Sequence, residues 1–242
     1  MLLGKKILAI IPARGGSRSI KLKNIRLLNG IPLVALVGIV IKQLPYIDRS
    51  IVSTDHPEIA RIAKEAGIGV PFIRPKEISG DRISDWSVLH HALKATEEAD
   101  NEIYDVIVML QPTSPLRKPE HITATIEKLI NGNYDAVWTL SETDSKYHPL
   151  KQLILKDDQV GYYDIKGSKV IARQQLDQAY HRNGVAYAIS RDCLVNQKSI
   201  KGQKTSAVII DVLTVNIDTE DDFKYAEYLL RNESKDENIV NS

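Results

Sequence analysis

The sequence predicts an α/β fold built on a doubly wound, mostly parallel sheet. Three observations predict it. Short apolar runs recur along the chain, the pattern of strands buried on both faces. Segments of helical length separate them. The alternation of strand and helix repeats five times before it breaks near Ser141.

Ile7 to Ile11 is the first such run, ended by Pro12. Pro32 to Leu44 has helical length, with proline in its first turn. Ile51-Val52-Ser53 reads as a short strand. Pro57 to Ala66 reads as a helix capped by Asp55 or His56 and stopped by Gly67. Val70 to Ile73 predicts a third strand, and Ser84 to Ala99 a helix with Ser84 as N-cap. Val106 to Leu110 is the next buried strand. Pro119 to Ile130 is a helix that ends before Asn131-Gly132, and Ala136 to Leu140 is a strand. From Ser141 to Arg182 the alternation stops. Lys151 to Leu155 and Val160 to Tyr163 read there as a hairpin across Lys156 to Gln159. Order resumes with Val185 to Ile189, Ala207 to Asp211, and a last helix from Glu220 to Leu230. The expected division is an α/β domain of residues 1–140 and 183–231, an excursion of 141–182, and a polar, flexible tail of 232–242.

Composition narrows the functional classes. The 242 residues are 43% hydrophobic and 26% charged, which excludes a disordered or fibrous chain. A net charge of +1 argues against broad nucleic-acid binding. One cysteine, Cys193, excludes an intramolecular disulfide framework and a cysteine-based zinc site. The longest apolar run, Ile31 to Ile41, is broken by Pro32 and Gly38 and stops at Lys42, well short of the roughly 18–20 residues of a membrane span. Lys5 and Lys6 are followed by a run too short for a signal peptide, with Arg14 where cleavage would fall. Residence in the cytoplasm is therefore expected, with neither membrane nor nucleic acid as partner.

In doubly wound sheets ligands sit beyond the carboxyl ends of strands. The loop after the first strand runs Ala13-Arg14-Gly15-Gly16-Ser17-Arg18-Ser19-Ile20-Lys21-Leu22-Lys23-Asn24. From Ala13 to Arg26 it carries five basic residues and no acid. Glycine lets the backbone present several N–H groups to one ligand, and Arg and Lys supply charge to phosphate oxygens. The loop predicts a phosphate cradle, although neither G-x-x-x-x-G-K-[ST] nor G-x-G-x-x-G is present. The six histidines show no metal-binding spacing, and Cys193, Met109, Trp86 and Trp138 read as core.

The segment Ile11 to Asn24 closely resembles the opening motif of the acylneuraminate cytidylyltransferases, the CMP-sialic acid synthetases. Seven further segments follow in family order: Val52-Ser53-Thr54-Asp55, Arg74-Pro75, Gln111-Pro112-Thr113-Ser114-Pro115-Leu116-Arg117, His148-Pro149-Leu150-Lys151, Arg173-Gln174-Gln175, Asn183-Gly184 and Ile217-Asp218-Thr219-Glu220-Asp221. The family usually has Lys at Arg18 and Gly at Ser19.

The resemblance implies a Rossmann-like nucleotidyltransferase fold with a small dimerisation excursion at 141–182, and hence a homodimer. It implies that CTP and a nine-carbon sialic-type 2-keto sugar acid are joined with loss of pyrophosphate. N-acetylneuraminate leads as acceptor, with legionaminate and pseudaminate as alternatives. An eight-carbon acid such as KDO fits less well, because those synthetases carry an acid in the loop where this chain has Gln111 to Pro115. A nucleotide-binding module without turnover is the alternative from another class.

The resemblance also assigns roles. Ala13, Arg14, Gly15, Ser17, Arg18, Lys23 and Asn24 hold the nucleotide, with Lys23 nearest the α-phosphate. Arg74 and Ser87 read the cytosine, whose O2 and N3 accept and whose amino group donates. Gln111, Lys151, Arg173, Asn183 and Tyr187 hold the sugar acid. Arg14, Lys23 and Asp218 form the catalytic set. Mg2+ (or Mn2+) is the expected cofactor, on Asp218 and Asn216. The family commonly has Asp at both places, so the Asn216 amide carries no charge where a second carboxylate is usual. Asn216 and Asp218 are expected on one face of a strand end, opposite Val215 and Ile217, and Asp218 also stands where a helix N-cap would. The apolar wall that the family's sialate-specific members carry some ten residues after the tyrosine falls here on Asn196-Gln197-Lys198-Ser199.

Overall fold

Strand β1 (Ile7–Pro12) is buried on both faces. Ile7, Ala9 and Ile11 enter one apolar cluster, and Leu8 and Ile10 enter another. The continuous apolar run is thus the signature of a central strand. The computed structural model describes residues 1–212 and 214–240, with side chains through residue 232.

After β1 come a small antiparallel pair, β2 (Leu27–Leu28) and β3 (Ile31–Pro32), then α1 (Leu33–Ile41) and β4 (Arg49–Ser53). Next are α2 (Pro57–Glu65), α3 (Asp85–Asp100), β5 (Val106–Met109), α4 (Pro119–Gly132) and β6 (Ala136–Glu142). The excursion carries the hairpin β7 (Leu153–Lys156) and β8 (Gln159–Tyr162). The chain returns through β9 (Tyr180–Ser190), α5 (Arg191–Val195), β10 (Thr205–Ile209) and α6 (Glu220–Val240).

The six-stranded sheet has the order β10-β6-β9-β5-β1-β4. β1 runs parallel to β4 and β5, and β10 parallel to β6. β9 lies antiparallel between β5 and β6. Val34, Ile59 and Ile122 of α1, α2 and α4 pack on one face, and Leu89 and Leu194 of α3 and α5 on the other. A third cluster sets Ile20, from the loop after β1, beside Leu116, Ile217 and Phe223. That buried isoleucine pins an otherwise polar loop to the frame.

Several elements differ from expectation. Val70 to Ile73 forms no strand. Pro71 has no N–H to donate, and the segment meets β4 only through Gly69, whose N–H donates to Ser50 O (2.9 Å) and whose carbonyl accepts from Val52 N–H (2.9 Å). β9 begins at Tyr180, inside the excursion, so the sheet's antiparallel member runs across the expected boundary at 182/183. Residues 214–219 are not a strand either, although Val215 and Ile217 are buried and Asn216 and Asp218 exposed, as alternation requires. α6 runs on to Val240 through most of the expected tail, where Glu and Lys are good helix formers. Residues 241 and 242 of that tail lie outside the described residues.

Candidate active site

The carboxyl ends of β1 and β5 open onto a cavity of about 470 Å³. Ala13 continues the β1–β4 ladder, its N–H donating to Ser53 O (2.9 Å), and its side chain is buried in the core. It sets the loop's exit rather than facing the cavity. Gly15 then passes so close to α2 that a Cβ would lie 2.8 Å from His56 Cδ2, and its N–H donates to Asp55 Oδ1 (2.8 Å). Leu22 adopts a left-handed conformation (φ 50°), which costs roughly 1–2 kcal/mol in a non-glycine residue. It starts the single 3-10 turn Lys23–Ile25 that presents Lys23 and Asn24. Buried Asn24 donates from Nδ2 to Arg14 O (3.0 Å), tying the two ends of the loop together.

Arg14, Ser17, Arg18, Lys23 and Asn24 all line the cavity. Lys23, 12% exposed, donates from Nζ to Asp218 Oδ1 (2.9 Å) and to Ile217 O (2.6 Å). The other oxygen of Asp218 accepts from Asn216 Nδ2 (3.3 Å). Asp218 is not the helix cap. Thr219 and Asp222 cap α6 reciprocally, with Asp222 N–H on Thr219 Oγ1 (3.2 Å) and Thr219 N–H on Asp222 Oδ2 (2.7 Å), so the Asp218 carboxylate is left for the cavity. Ile217 N–H donates to Thr113 O (2.8 Å), which fixes this segment against the loop after β5.

Arg74 reaches the cavity from the far side. It is buried, and its Nε and one terminal nitrogen have no partner. Burial lowers its pKa, Asp55 opposes that shift, and Arg14 adds to it. A buried guanidinium with unpaired donors, on a residue that lines a cavity, is an unsatisfied group that a ligand's acceptors could pair. Ser87 does not line the cavity. It lies in the first turn of α3, its hydroxyl 2.9 Å from that of Ser84, the observed N-cap. Asp85 and Val88 of the same turn line the cavity instead.

The residues assigned to the sugar acid divide. Gln111, at the end of β5, lines the cavity and packs against Gly184 (φ +73°), where a Cβ would lie 2.5 Å from Gln111 Oε1. Asn183 and Tyr187 are buried behind it. Asn183 Oδ1 accepts from Thr139 Oγ1 (2.6 Å), and the Tyr187 hydroxyl accepts from Gly184 N–H (2.9 Å). Burial raises the Tyr187 pKa, and the ring stands 5.7 Å from Trp138. Both therefore hold the Asn183-Gly184 turn against Gln111 rather than presenting groups to a ligand. Lys151 and Arg173 are elsewhere, in 3-10 turns of the excursion. Lys151 is exposed, and Arg173 lines a separate cavity of about 350 Å³ with His148 and Asp144. Within one chain they do not join the first cavity.

Two contributors escape a reading of the sequence. Buried Arg117 donates to Gln111 O (2.6 Å), Gly184 O (3.1 Å) and Val185 O (2.7 Å), which clamps the loop after β5 to β9. Burial pushes its guanidinium down to about 9, still charged at neutral pH. The arginine closing the Gln111–Arg117 motif was its signal. The other is Asp81, whose carboxylate pairs with both Arg14 and Arg18. No spacing pattern links it to them.

For a divalent cation the donor set offers one carboxylate, Asp218, and the Asn216 amide oxygen. Among the described residues no group of three or more His, Cys, Asp or Glu is placed to hold a metal. Two hard oxygen donors at the rim of a basic cavity suit Mg2+ only if phosphate oxygens and water complete its shell.

Residues 8–240 match the family described as cytidylyltransferase. The pseudaminic acid cytidylyltransferase of Campylobacter jejuni is 30% identical over 229 residues, 93% of this chain and 97% of that one. A CMP-N,N'-diacetyllegionaminic acid synthase of Legionella pneumophila is 28% identical over 236 residues, 93% and 96% of the two chains. An N-acylneuraminate cytidylyltransferase of Streptococcus agalactiae is 31% identical over 221 residues, 90% of this chain but 52% of its own length. In fold, the chain superposes on the CTP complex of CMP:2-keto-3-deoxy-manno-octonic acid synthetase with a TM-score of 0.69 and 16% identity, covering 94% and 99% of the chains. No helix among the described residues is long and apolar enough to cross a membrane.

Proposed function

The chain belongs to the cytidylyltransferase family, and we propose that it makes a CMP-sugar from CTP and a nine-carbon 2-keto sugar acid. N-acetylneuraminate leads as acceptor, with legionaminate and pseudaminate as the alternatives. The observation that carries the reading is the convergence of Arg14, Arg18, Lys23 and Arg74 with Asp218 on one cavity. The anomeric hydroxyl of the sugar acid attacks the α-phosphorus and gives up its proton to solvent. The new P–O bond forms as the bond to the β-phosphate breaks, and pyrophosphate leaves. Negative charge gathers on the phosphate oxygens, so catalysis is positioning and electrostatics.

The chain's own groups meet those demands. Arg14 and Arg18 grip the outgoing phosphates. Lys23, held by Asp218 and Ile217 O, is the α-phosphate's cation. Arg74 supplies fixed donors to cytosine O2 and N3, and the Asp85 carboxylate on the same cavity can accept from the exocyclic amine. Gln111 faces the acceptor. Mg2+ (or Mn2+), held by Asp218 and Asn216, would offset charge on the phosphate oxygens.

The acceptor half is completed by a second copy of the chain. Leu155, Val160, Tyr163, Ile165 and Ile171 of the excursion are each at least 69% exposed, apolar side chains that a partner copy would cover. Closed two-fold pairing is the commonest way to bury such a face. It would bring Lys151 and Arg173 to the partner's cavity, where a carboxylate needs cations. Buried, unpaired Cys193 suits the reducing cytoplasm.

Pyrophosphate release tests the reading. CTP, Mg2+ and N-acetylneuraminate, legionaminate, pseudaminate or KDO are offered in parallel. Release with a nine-carbon acid and little with KDO is expected. CTP binding without release for any acid would favour the silent nucleotide-binding module. The segment Asn196 to Ser199 gives this chain's own cavity no apolar wall, since Gln197 is tied to Asp135 (2.9 Å) ahead of β6. The acyl group is therefore the feature that the four acids must resolve.

A further inference from the structure

The phosphate cradle already contains an anion of its own. One oxygen of Asp81 pairs with Arg14 and the other with Arg18, so the carboxylate spans both guanidinium groups as a phosphate would. Asp81 lines the same cavity as the two arginines. Its side chain is 30% exposed, and the Arg14 hydrogen bond, with Arg18 adding to it, holds its carboxyl below the usual range. It sits on the segment between the 3-10 turn Lys76–Ile78 and α3, which is neither helix nor strand. Three other groups bear on the balance. Lys23 is committed to Asp218, Arg74 has no counter-ion on its unpaired nitrogens, and Asp85 lies 4.0 Å from Arg182. Asp81 is thus the anion that offsets the two arginines of the loop.

We propose that Asp81 is a resident competitor for the phosphate site, displaced from Arg14 and Arg18 when a polyphosphate binds and returning as pyrophosphate leaves. Each arginine gives one terminal nitrogen to Asp81, and that nitrogen cannot grip phosphate with the N–H it donates to the carboxylate. Apparent affinity is therefore reduced by the fraction of molecules in which Asp81 is paired. The same competition speeds departure of pyrophosphate, whose charge would otherwise hold it on a strongly basic loop. The rival arrangement, in which Asp81 stays paired and orients both arginines for the ligand, makes the opposite prediction.

The inference rests on the phosphate-binding reading of the cavity but not on the identity of base or sugar. Its test is calorimetric titration of the full chain with inorganic pyrophosphate, and separately with CTP. Wild type is compared with Asp81→Asn, Asp81→Ser and, as a control for bulk charge, Glu77→Gln, an exposed residue of the neighbouring 3-10 turn that does not line the cavity. Both Asp81 variants are expected to bind pyrophosphate about fivefold more tightly, with slower release in stopped-flow chase, and Glu77→Gln to change little. Unchanged or weaker binding in the Asp81 variants, or equal tightening in Glu77→Gln, overturns the proposal. Failure of wild type to bind either ligand would instead sink the phosphate reading itself.

Discussion

At the carboxyl ends of β1 and β5, Arg14, Lys23, Arg74, Gln111 and Asp218 come from separate stretches of chain and still face one cavity. In the excursion, Arg173 lines another cavity, Lys151 is exposed, and apolar side chains from Leu155 to Ile171 face solvent. The first region is held by the frame. Arg117 clamps the loop after β5, Ile20 pins the loop after β1, and the Ile217 N–H ties Asp218's segment to Thr113. The second hangs from the sheet through β6 and β9 and has no comparable core of its own. The contrast teaches that one chain suffices to assemble the proposed nucleotide half, whereas the proposed acceptor half needs more than one.

The largest effect that could sharpen this contrast lies in the nucleotide half. Asp218→Ala is expected to lower kcat by about 10²- to 10³-fold while CTP affinity changes only a few-fold, because its proposed role is in the transfer step. Steady-state kinetics beside a CTP titration decide it. Equal losses in both would mean that Asp218 only shapes the loop. Next comes the excursion. Leu155→Asp with Val160→Asp is expected to shift the sedimentation mass from dimer to monomer. It is also expected to weaken the acceptor's apparent affinity by about tenfold or more while leaving CTP binding intact. A wild-type monomer at micromolar concentration would break the comparison at once. The smallest effect is at the metal pair. Asn216→Asp is expected to lower the Mg2+ concentration for half-maximal rate a few-fold, since a second carboxylate replaces a neutral amide. Direct Mn2+ titration in the presence of CTP reads the same change without turnover, and weaker binding would give Asn216 a function of its own.

That the basic loop after β1 would line a cavity at the strand ends was legible because its signals are local. A strand apolar on both faces feeds a run of Gly, Arg and Lys, and the backbone does the rest. Arg74, Gln111 and Asp218 were legible only through the family resemblance, since nothing in their own neighbourhoods announces the cavity. Asp81 was not legible at all: its pairing with Arg14 and Arg18 arises when the segment ahead of α3 folds back over the loop. β9 shows a subtler limit. Val185 to Ile189 reads as a buried strand, but an apolar run has no direction, so its antiparallel place between β5 and β6 could not be read from it. Val70 to Ile73 shows the converse, an apolar run that Pro71 keeps off the ladder. Tyr187 and Asn183 stand at family positions for the sugar, and in this chain their polar atoms are spent on Gly184, Thr139 and Ser141.

Subunit mixing tests the contrast between the two regions most directly. Lys23→Ala damages only the nucleotide half, and Arg173→Ala only the excursion. Each variant alone is expected to be nearly inactive. In a re-equilibrated equimolar mixture, half of the dimers are hybrids, and each hybrid has one site built from two undamaged contributions. The account predicts recovery of about a quarter of wild-type activity. A mixture as inactive as its parents, with hybrid dimers demonstrated by mass, would contradict it and place the whole site within a single chain.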